Sequence, residues 1–142
     1  MRVAVVDIGS NTARLLVADV RGDEVETIDR ARSYLRLGAE IERRGTVRRR
    51  KVSQTAEVAA AFAARARAHR IDAAEVLVTA PGRQAKGAEQ LIEALAAATG
   101  WPVRVLTHRE EGSLAFDGAV CGSERELPEV VGLADRAYVM RE

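Results

Sequence analysis

Residues 1–20 read MRVAVVDIGSNTARLLVADV, and the fold turns on how that stretch is divided. Residues 3–8 are a short apolar run that ends in Asp7-Ile8-Gly9-Ser10-Asn11-Thr12, a dense turn signal. Residues 13–20 form a second apolar run, closed by the hairpin-type turn Arg21-Gly22-Asp23. Residues 24–31 alternate polar and apolar side chains and read as a third strand. Strands joined by turns this short must be antiparallel neighbours, because a parallel pair needs a crossover of about a dozen residues or more.

Downstream the period changes. Residues 34–51 have weak periodicity and are expected to be loop-rich, and a helical pattern begins at Ser53. Ala59, Phe62, Ala63 and Ala66 fall on one stripe of that helix, with Arg65, Arg67 and Arg70 mostly outside it. Residues 75–79 read as a buried strand broken by Pro81-Gly82. A second helix follows, with Ala88, Leu91, Ile92, Leu95 and Thr99 on one face and Gly100 as its left-handed cap. Residues 103–106 are a further strand, and Thr107-His-Arg-Glu110 has the form of a capping box opening a helix to about Val120. The order β-β-β-α-β-α-β-α is an α/β layout: a meander followed by βα crossovers, as in a ribonuclease-H-like half-domain. Two such halves enclose a phosphate site in the actin-like ATPase superfamily.

The 142 residues and 15.4 kDa suit one domain, expected over residues 1–121 with an atypical tail at 122–142. A hydrophobic fraction of 47% is ordinary globular usage, and a net charge of +1 selects no class of partner. The single cysteine, Cys121, excludes an intrachain disulfide and a Cys-cluster zinc site. No apolar run approaches the roughly 18 residues of a membrane span, and Asp7 comes too early for a signal peptide. The expectation is a cytoplasmic chain with no membrane partner. The run Arg43-Arg44-Gly45-Thr46-Val47-Arg48-Arg49-Arg50-Lys51 is the strongest charge feature. It reads as a solvated loop leading into a helix or as a polyanion patch, and the lack of interleaved aromatics argues against specific nucleic-acid binding.

Three places could carry chemistry. Gly9, Ser10, Asn11 and Thr12 could cradle phosphate oxygens through backbone N–H groups, hydroxyls and amide, while Asp7 at the strand end could hold Mg²⁺. A plain hairpin turn uses the same residues for local reasons, and spacing alone does not choose. Glu110 is placed to cap its helix. Glu111 lies beside Leu114 and Ala115, on the face expected to turn inward, where a carboxylate could activate water. Arg83 follows a strand end, where α/β sheets gather ligands. His69 and His108 support no metal site, and Cys121 has no nearby base to activate it.

Four ordered segments give the sequence a family resemblance over roughly residues 2–121. Asp7-Ile-Gly-Ser-Asn-Thr-Ala-Arg-Leu-Leu-Val17 resembles the opening motif of the exopolyphosphatase and guanosine-pentaphosphate phosphohydrolase (Ppx/GppA) family. Leu35-Arg-Leu-Gly38 is similar to its V-R-L-G segment. Val78-Thr-Ala-Pro-Gly-Arg83-Gln-Ala-Lys-Gly87 is similar to its A-T-S-A-x-R-x-A-x-N segment. Val105-Leu-Thr-His-Arg-Glu-Glu111-Gly-Ser-Leu-Ala-Phe-Asp-Gly118 is similar to its V-I-S-G-x-E-E-A-R-L-A-F-x-G segment. The resemblance implies Mg²⁺-dependent hydrolysis of a terminal phosphoanhydride, from inorganic polyphosphate or pppGpp. Glu111 would be the base activating water, Asp7 would lie at the metal-phosphate centre, and Gly9, Ser10, Asn11 and Thr12 would form the phosphate loop. Arg83 and Arg36 would bind phosphate oxygens.

The departures matter too. Ala80 and Gly87 replace the family's Ser and Asn, and Ser113 replaces an Arg, each removing hydrogen-bond capacity. Asp135 is followed by Arg136 and Ala137, where the family has a glycine-rich second phosphate loop and then a second half-domain. The segment is therefore expected to carry half of a cleft, to be poorly active alone, and to pair with a second half-domain or another copy of itself. The alternative is a truncated, non-catalytic domain that binds polyphosphate or an alarmone. A sugar- or acetate-kinase half is a third reading, and no adenosine site supports it.

Overall fold

The computed structural model describes residues 1–121, with side chains to residue 117. The expected tail at 122–142 lies outside them. Two compact units are distinguished, Met1–Val105 and a second that begins at Leu106.

In the first unit, β1 (Arg2–Ile8), β2 (Thr12–Arg21) and β3 (Glu24–Tyr34) form the antiparallel meander. Gly22, at φ 60°, makes the tight β2–β3 turn. β4 (Ala73–Val78) then pairs parallel with β1, and β5 (Val103–Val105) parallel with β4, giving the sheet order β3-β2-β1-β4-β5. This is the ribonuclease-H-like arrangement expected, with β1 at the point where strands run out in both directions.

Alternation along the strands sends Ala4, Val6 and Ile8, Ala13, Leu15 and Val17, and Val76 and Val78 to one buried face. α2 (Arg49–Arg67) and α4 (Ala88–Thr99) pack together and against the sheet. The expected stripe of Ala59, Phe62, Ala63 and Ala66 is buried, as are Ala88, Leu91, Leu95 and Thr99, while Ile92 is only half-buried. Gly100 caps α4 in the left-handed conformation at φ 70°. Arg67 donates to the Thr99 carbonyl and stacks over Trp101, tying the C-terminal ends of the two helices together.

Two corrections fall between the strands. Residues 34–51 are not loop-rich: α1 (Leu37–Arg44) occupies eight of them and α2 already begins at Arg49. α1 is held by Leu37 and Ile41, one turn apart and buried, and ends at Gly45, whose left-handed N–H returns to the Ile41 carbonyl. Its third inward residue is Glu40. Burial works to raise that carboxyl, but Arg48, donating from Nε at 2.7 Å and from its backbone at 3.0 Å, holds it below the usual range. The basic run is therefore the end of one helix and the start of the next, with a short link between. The second correction is at Pro81-Gly82. β4 does stop before them, but they sit inside a one-turn helix, α3 (Ala80–Gln84), where a proline near the first position costs no hydrogen bond.

Asp29 anchors β3 to α2. It accepts from Arg65 at 2.7 and 2.6 Å and pairs with His69 Nε2 at 2.9 Å. Arg65 holds its carboxyl well below the usual carboxylate range, with His69 assisting and burial opposing. A depressed acid contributes stability above its unfolded pKa of about 3.9 and loses it as pH falls from there toward the folded value. Asp29→Asn should therefore melt lower than the parent chain at neutral pH, with the gap closing below about pH 4. Thermal midpoints of both proteins across that range check this, and a gap independent of pH would contradict it.

The second unit opens with the expected capping box. Thr107 Oγ1 accepts from the Glu110 N–H at 3.2 Å, while Glu110 Oε2 accepts from the Thr107 N–H and hydroxyl, both at 2.8 Å. α5 (His108–Cys121) follows.

Candidate functional site

The bend after β1 is built by backbone hydrogen bonds. The Gly9 N–H donates to the Thr12 carbonyl at 2.9 Å, so Gly9 closes the turn rather than offering its donor outward. A Cβ on Gly9 would lie 3.4 Å from that carbonyl and 3.8 Å from Thr79 Oγ1, ordinary van der Waals contacts, so the turn itself does not require glycine here. Ser10 and Asn11 offer their carbonyls to the neighbouring segment. Asn11 O accepts from the N–H groups of Leu35 at 2.8 Å and Arg36 at 3.1 Å, and Ser10 O accepts from Gly38 at 2.8 Å. Among the described residues, the N–H groups of Ser10 and Asn11 and their side chains make no hydrogen bond. These are the donors the bend can present to an anion.

Arg36 pays for its position. It occupies the left-handed region at φ 57°, ψ 40°, directly before α1, with an exposed side chain. A non-glycine residue there costs on the order of 1–3 kcal/mol, and such residues cluster at ligand sites. On the other side of β1 the Thr79 N–H donates to the Ile8 carbonyl at 3.1 Å, and Gly82 N–H to Thr79 O at 3.1 Å, carrying the chain through α3 to Arg83. A Cβ on Gly82 would lie 2.9 Å from Val105 Cγ1 and 3.1 Å from Val78 Cγ1, so glycine lets α3 lie flat on β4 and β5. Arg83 is half-buried and its Nε fully buried.

Three of the four segments singled out in the sequence thus meet at the carboxyl ends of β1 and β4, the crevice at which open α/β sheets take ligands. Asp7 sits there, half-buried on β1, with Arg14 of β2 and Leu77 of β4 as its direct cross-strand partners. Sequence reading passed over two residues. Arg14 stands opposite Asp7 only because the β1–β2 turn is tight, and the hairpin register could have revealed it. Thr79 lies buried beside Gly9, a placement that only the parallel β1–β4 pairing defines.

Glu111 belongs to the second unit. It is half-buried in the first turn of α5, its N–H donated to Thr107 O at 3.0 Å. The expected inward face is corrected: Leu114 is 46% exposed and Ala115 is exposed, whereas Gly112 and Phe116 are half-buried. Glu111 therefore shares its helix with a weak apolar stripe rather than with the one its spacing suggested.

Among the described residues no three His, Cys, Asp or Glu side chains cluster as a metal site, and no helix is long and apolar enough to cross a membrane. His69 is engaged by Asp29.

The fold is that of a ribonuclease-H-like half-domain of the actin-like class, with the bend at the carboxyl end of its central strand β1. Residues 16–131 match the model of the Ppx/GppA phosphatase family, and the chain belongs to that family. It is similar to "Exopolyphosphatase 2" of Mycobacterium tuberculosis, 29% identical over 84% of this chain and 40% of the relative. Among solved structures it is similar to the Aquifex aeolicus member of the Ppx/GppA family, with a TM-score of 0.79, 25% identity, and coverage of 89% of this chain and 41% of that one. An exopolyphosphatase-like protein gives a TM-score of 0.82 at 26% identity, over 87% and 38% of the two chains. The chain thus spans about two fifths of the length of these relatives.

Proposed function

We propose that the bend after β1 holds the terminal phosphate of a phosphoanhydride substrate, inorganic polyphosphate or pppGpp, and that this chain supplies one wall of a hydrolase cleft. The observation that carries the reading is the convergence of the bend, the Leu35–Gly38 segment and Arg83 on the carboxyl end of β1, with the Ser10 and Asn11 N–H groups making no hydrogen bond among the described residues. Ser10, Asn11 and Thr12 supply donors, and Arg83 and Arg36 supply charge that neutralises the transferring group.

Asp7 suits Mg²⁺ in this role. Magnesium beside phosphates takes one or two carboxylates and draws its other ligands from substrate oxygens and water, so Asp7, next to the carboxyl end of β1, would supply one such ligand. When bound, the ion would neutralise charge on the terminal phosphate. Glu111 takes the proton from the attacking water as the new P–O bond forms, and the anhydride P–O bond breaks to release the shortened chain and orthophosphate. That step needs Glu111 to face the bend.

Because the relatives are more than twice as long, the opposing wall comes from a further portion of protein or a second copy. The 142-residue chain should therefore bind polyphosphate and release phosphate with Mg²⁺ at no more than background rate. Calorimetric titration together with a phosphate-release assay tests both halves of this statement. Absence of binding would overturn the site, and strong turnover abolished by Glu111→Gln would show that the chain is a complete catalyst.

A binding-only reading draws on Gly87 and Ala80. Gly87 caps α4 at φ 71° without any side-chain hydrogen bond, so the segment after Arg83 presents backbone where the family presents an amide. Binding by the chain, with no turnover even when a second family portion is supplied, supports this alternative.

A further inference from the structure

The nine residues 43–51 carry six cations and no acid. The structure bends them into a strap, with the end of α1, the Gly45 turn and the first turn of α2 in succession. Both ends are tied to the candidate site. Lys51 Nζ donates to the Leu35 carbonyl at 2.6 Å, beside Arg36. The Lys86 N–H donates to the Gly45 carbonyl at 2.8 Å, three residues from Arg83, and Thr46 bridges to Lys86.

Within the strap Arg48 is paired with the buried Glu40, and Lys51 with the Leu35 carbonyl. Arg43, Arg44, Arg49 and Arg50 are exposed and make no ion pair among the described residues. Arg49, Arg50 and Lys51 fill the first turn of α2, which holds no acidic residue. Cations there oppose the helix dipole, so folding gathers like charge at an unfavourable place. Arg49 and Arg50 also line a surface depression of about 540 Å³, together with Ser53, Gln54 and Glu57.

We propose that this strap carries the trailing phosphates of a linear inorganic polyphosphate whose leading end sits in the bend; the proposal rests on the phosphate reading of that bend. The charge, the lack of an ion pair at Arg43, Arg44, Arg49 and Arg50 among the described residues, and the attachment on both sides of the site all fit a long unbranched polyanion. α1, eight residues long, rises about 12 Å from the bend to Arg43 and Arg44, so a short anion held at Ser10 and Asn11 does not reach that end of the strap. A polynucleotide fits less well, since no aromatic side chain stands among the arginines to stack a base.

The test is binding by the 142-residue chain of tripolyphosphate and of a polyphosphate of about fifty units, over a series of salt concentrations. The comparison variants are R43Q/R44Q/R49Q/R50Q and, at the bend, Arg83→Gln. The fourfold variant should bind the long chain at least tenfold more weakly, with a salt slope shallower by about 3, and bind tripolyphosphate unchanged. Arg83→Gln should weaken both ligands. Unchanged long-chain affinity in the fourfold variant overturns the strap and leaves the bend standing. Loss confined to the fourfold variant, with Arg83→Gln silent for both ligands, supports the strap and overturns the bend. Preference of the parent chain for single-stranded RNA over polyphosphate of equal charge, lost in the fourfold variant, overturns polyphosphate as the occupant. The thermal midpoint should hold, since all four side chains are exposed and make no ion pair among the described residues. If the fourfold variant does not fold, R49Q/R50Q is read in its place, with about half the change in slope.

Discussion

Leu37→Ala should destabilise the chain by about 2–5 kcal/mol, lowering its thermal midpoint by on the order of 10 °C, and should weaken anion binding at the bend even where the protein remains folded. Leu37 is fully buried and is the first residue of α1. Its neighbours are the very groups that clip the bend: Leu35 and Arg36 donate to Asn11 O, and Gly38 donates to Ser10 O. Removing the Leu37 side chain leaves a cavity beneath that segment and loosens the carbonyl contacts that set how the Ser10 and Asn11 N–H groups point. Arg36, already in a costly backbone conformation, loses the packing that holds it there.

The control is Leu95→Ala. Leu95 is just as buried, but it lies on α4, away from the bend. It should cost similar stability with little change in polyphosphate affinity below the melting transition. Denaturant titration paired with calorimetry separates the two effects. Equal losses of affinity in both variants would mean that the bend responds to global stability alone, and the clip would then have no part in shaping the site.

The same region shows why some of this fold was legible in the sequence and some was not. α2 and α4 announce themselves because Ala, Phe and Leu recur at helical spacing and those positions are the ones buried. α1 has only Leu37 and Ile41 to mark it, and its third inward residue is a glutamate whose burial depends on Arg48, eight residues away. No local pattern encodes such a partner. Its start at a left-handed arginine also runs against every rule for helix entry. The meander follows from turn lengths, which is why the antiparallel pairing of β1, β2 and β3 could be read directly. The bend was legible as a turn rich in donors, yet Gly9 spends its N–H on Thr12, and Thr79 and Arg14 join the site only through strand register. On α5 the capping box was local and came out as written, whereas the inward face was inferred from Leu114 and Ala115, both of which are exposed.

The capping box also makes the sharpest test of catalysis possible, because Glu110 and Glu111 are adjacent carboxylates with separable duties. With the chain joined to the remaining portion of a longer relative, Glu111→Gln should lower phosphate release by about 10²–10⁴-fold, the range expected when a general base is lost. The amide keeps the shape and loses the proton acceptor, so KM for polyphosphate should move little while kcat collapses. Glu110→Ala should do the reverse. It removes the bonds at 2.8 Å to the Thr107 N–H and hydroxyl and costs about 0.5–1.5 kcal/mol of stability, with turnover retained in the folded protein. If Glu111 merely stabilises the helix, its replacement should cost only the few tenths to 1 kcal/mol of a first-turn acid facing the helix dipole, and kcat should hold. A kcat lost equally in both variants would point to α5 as a positioned scaffold, and the base would have to be sought elsewhere. A kcat lost only with Glu111 assigns it the proton.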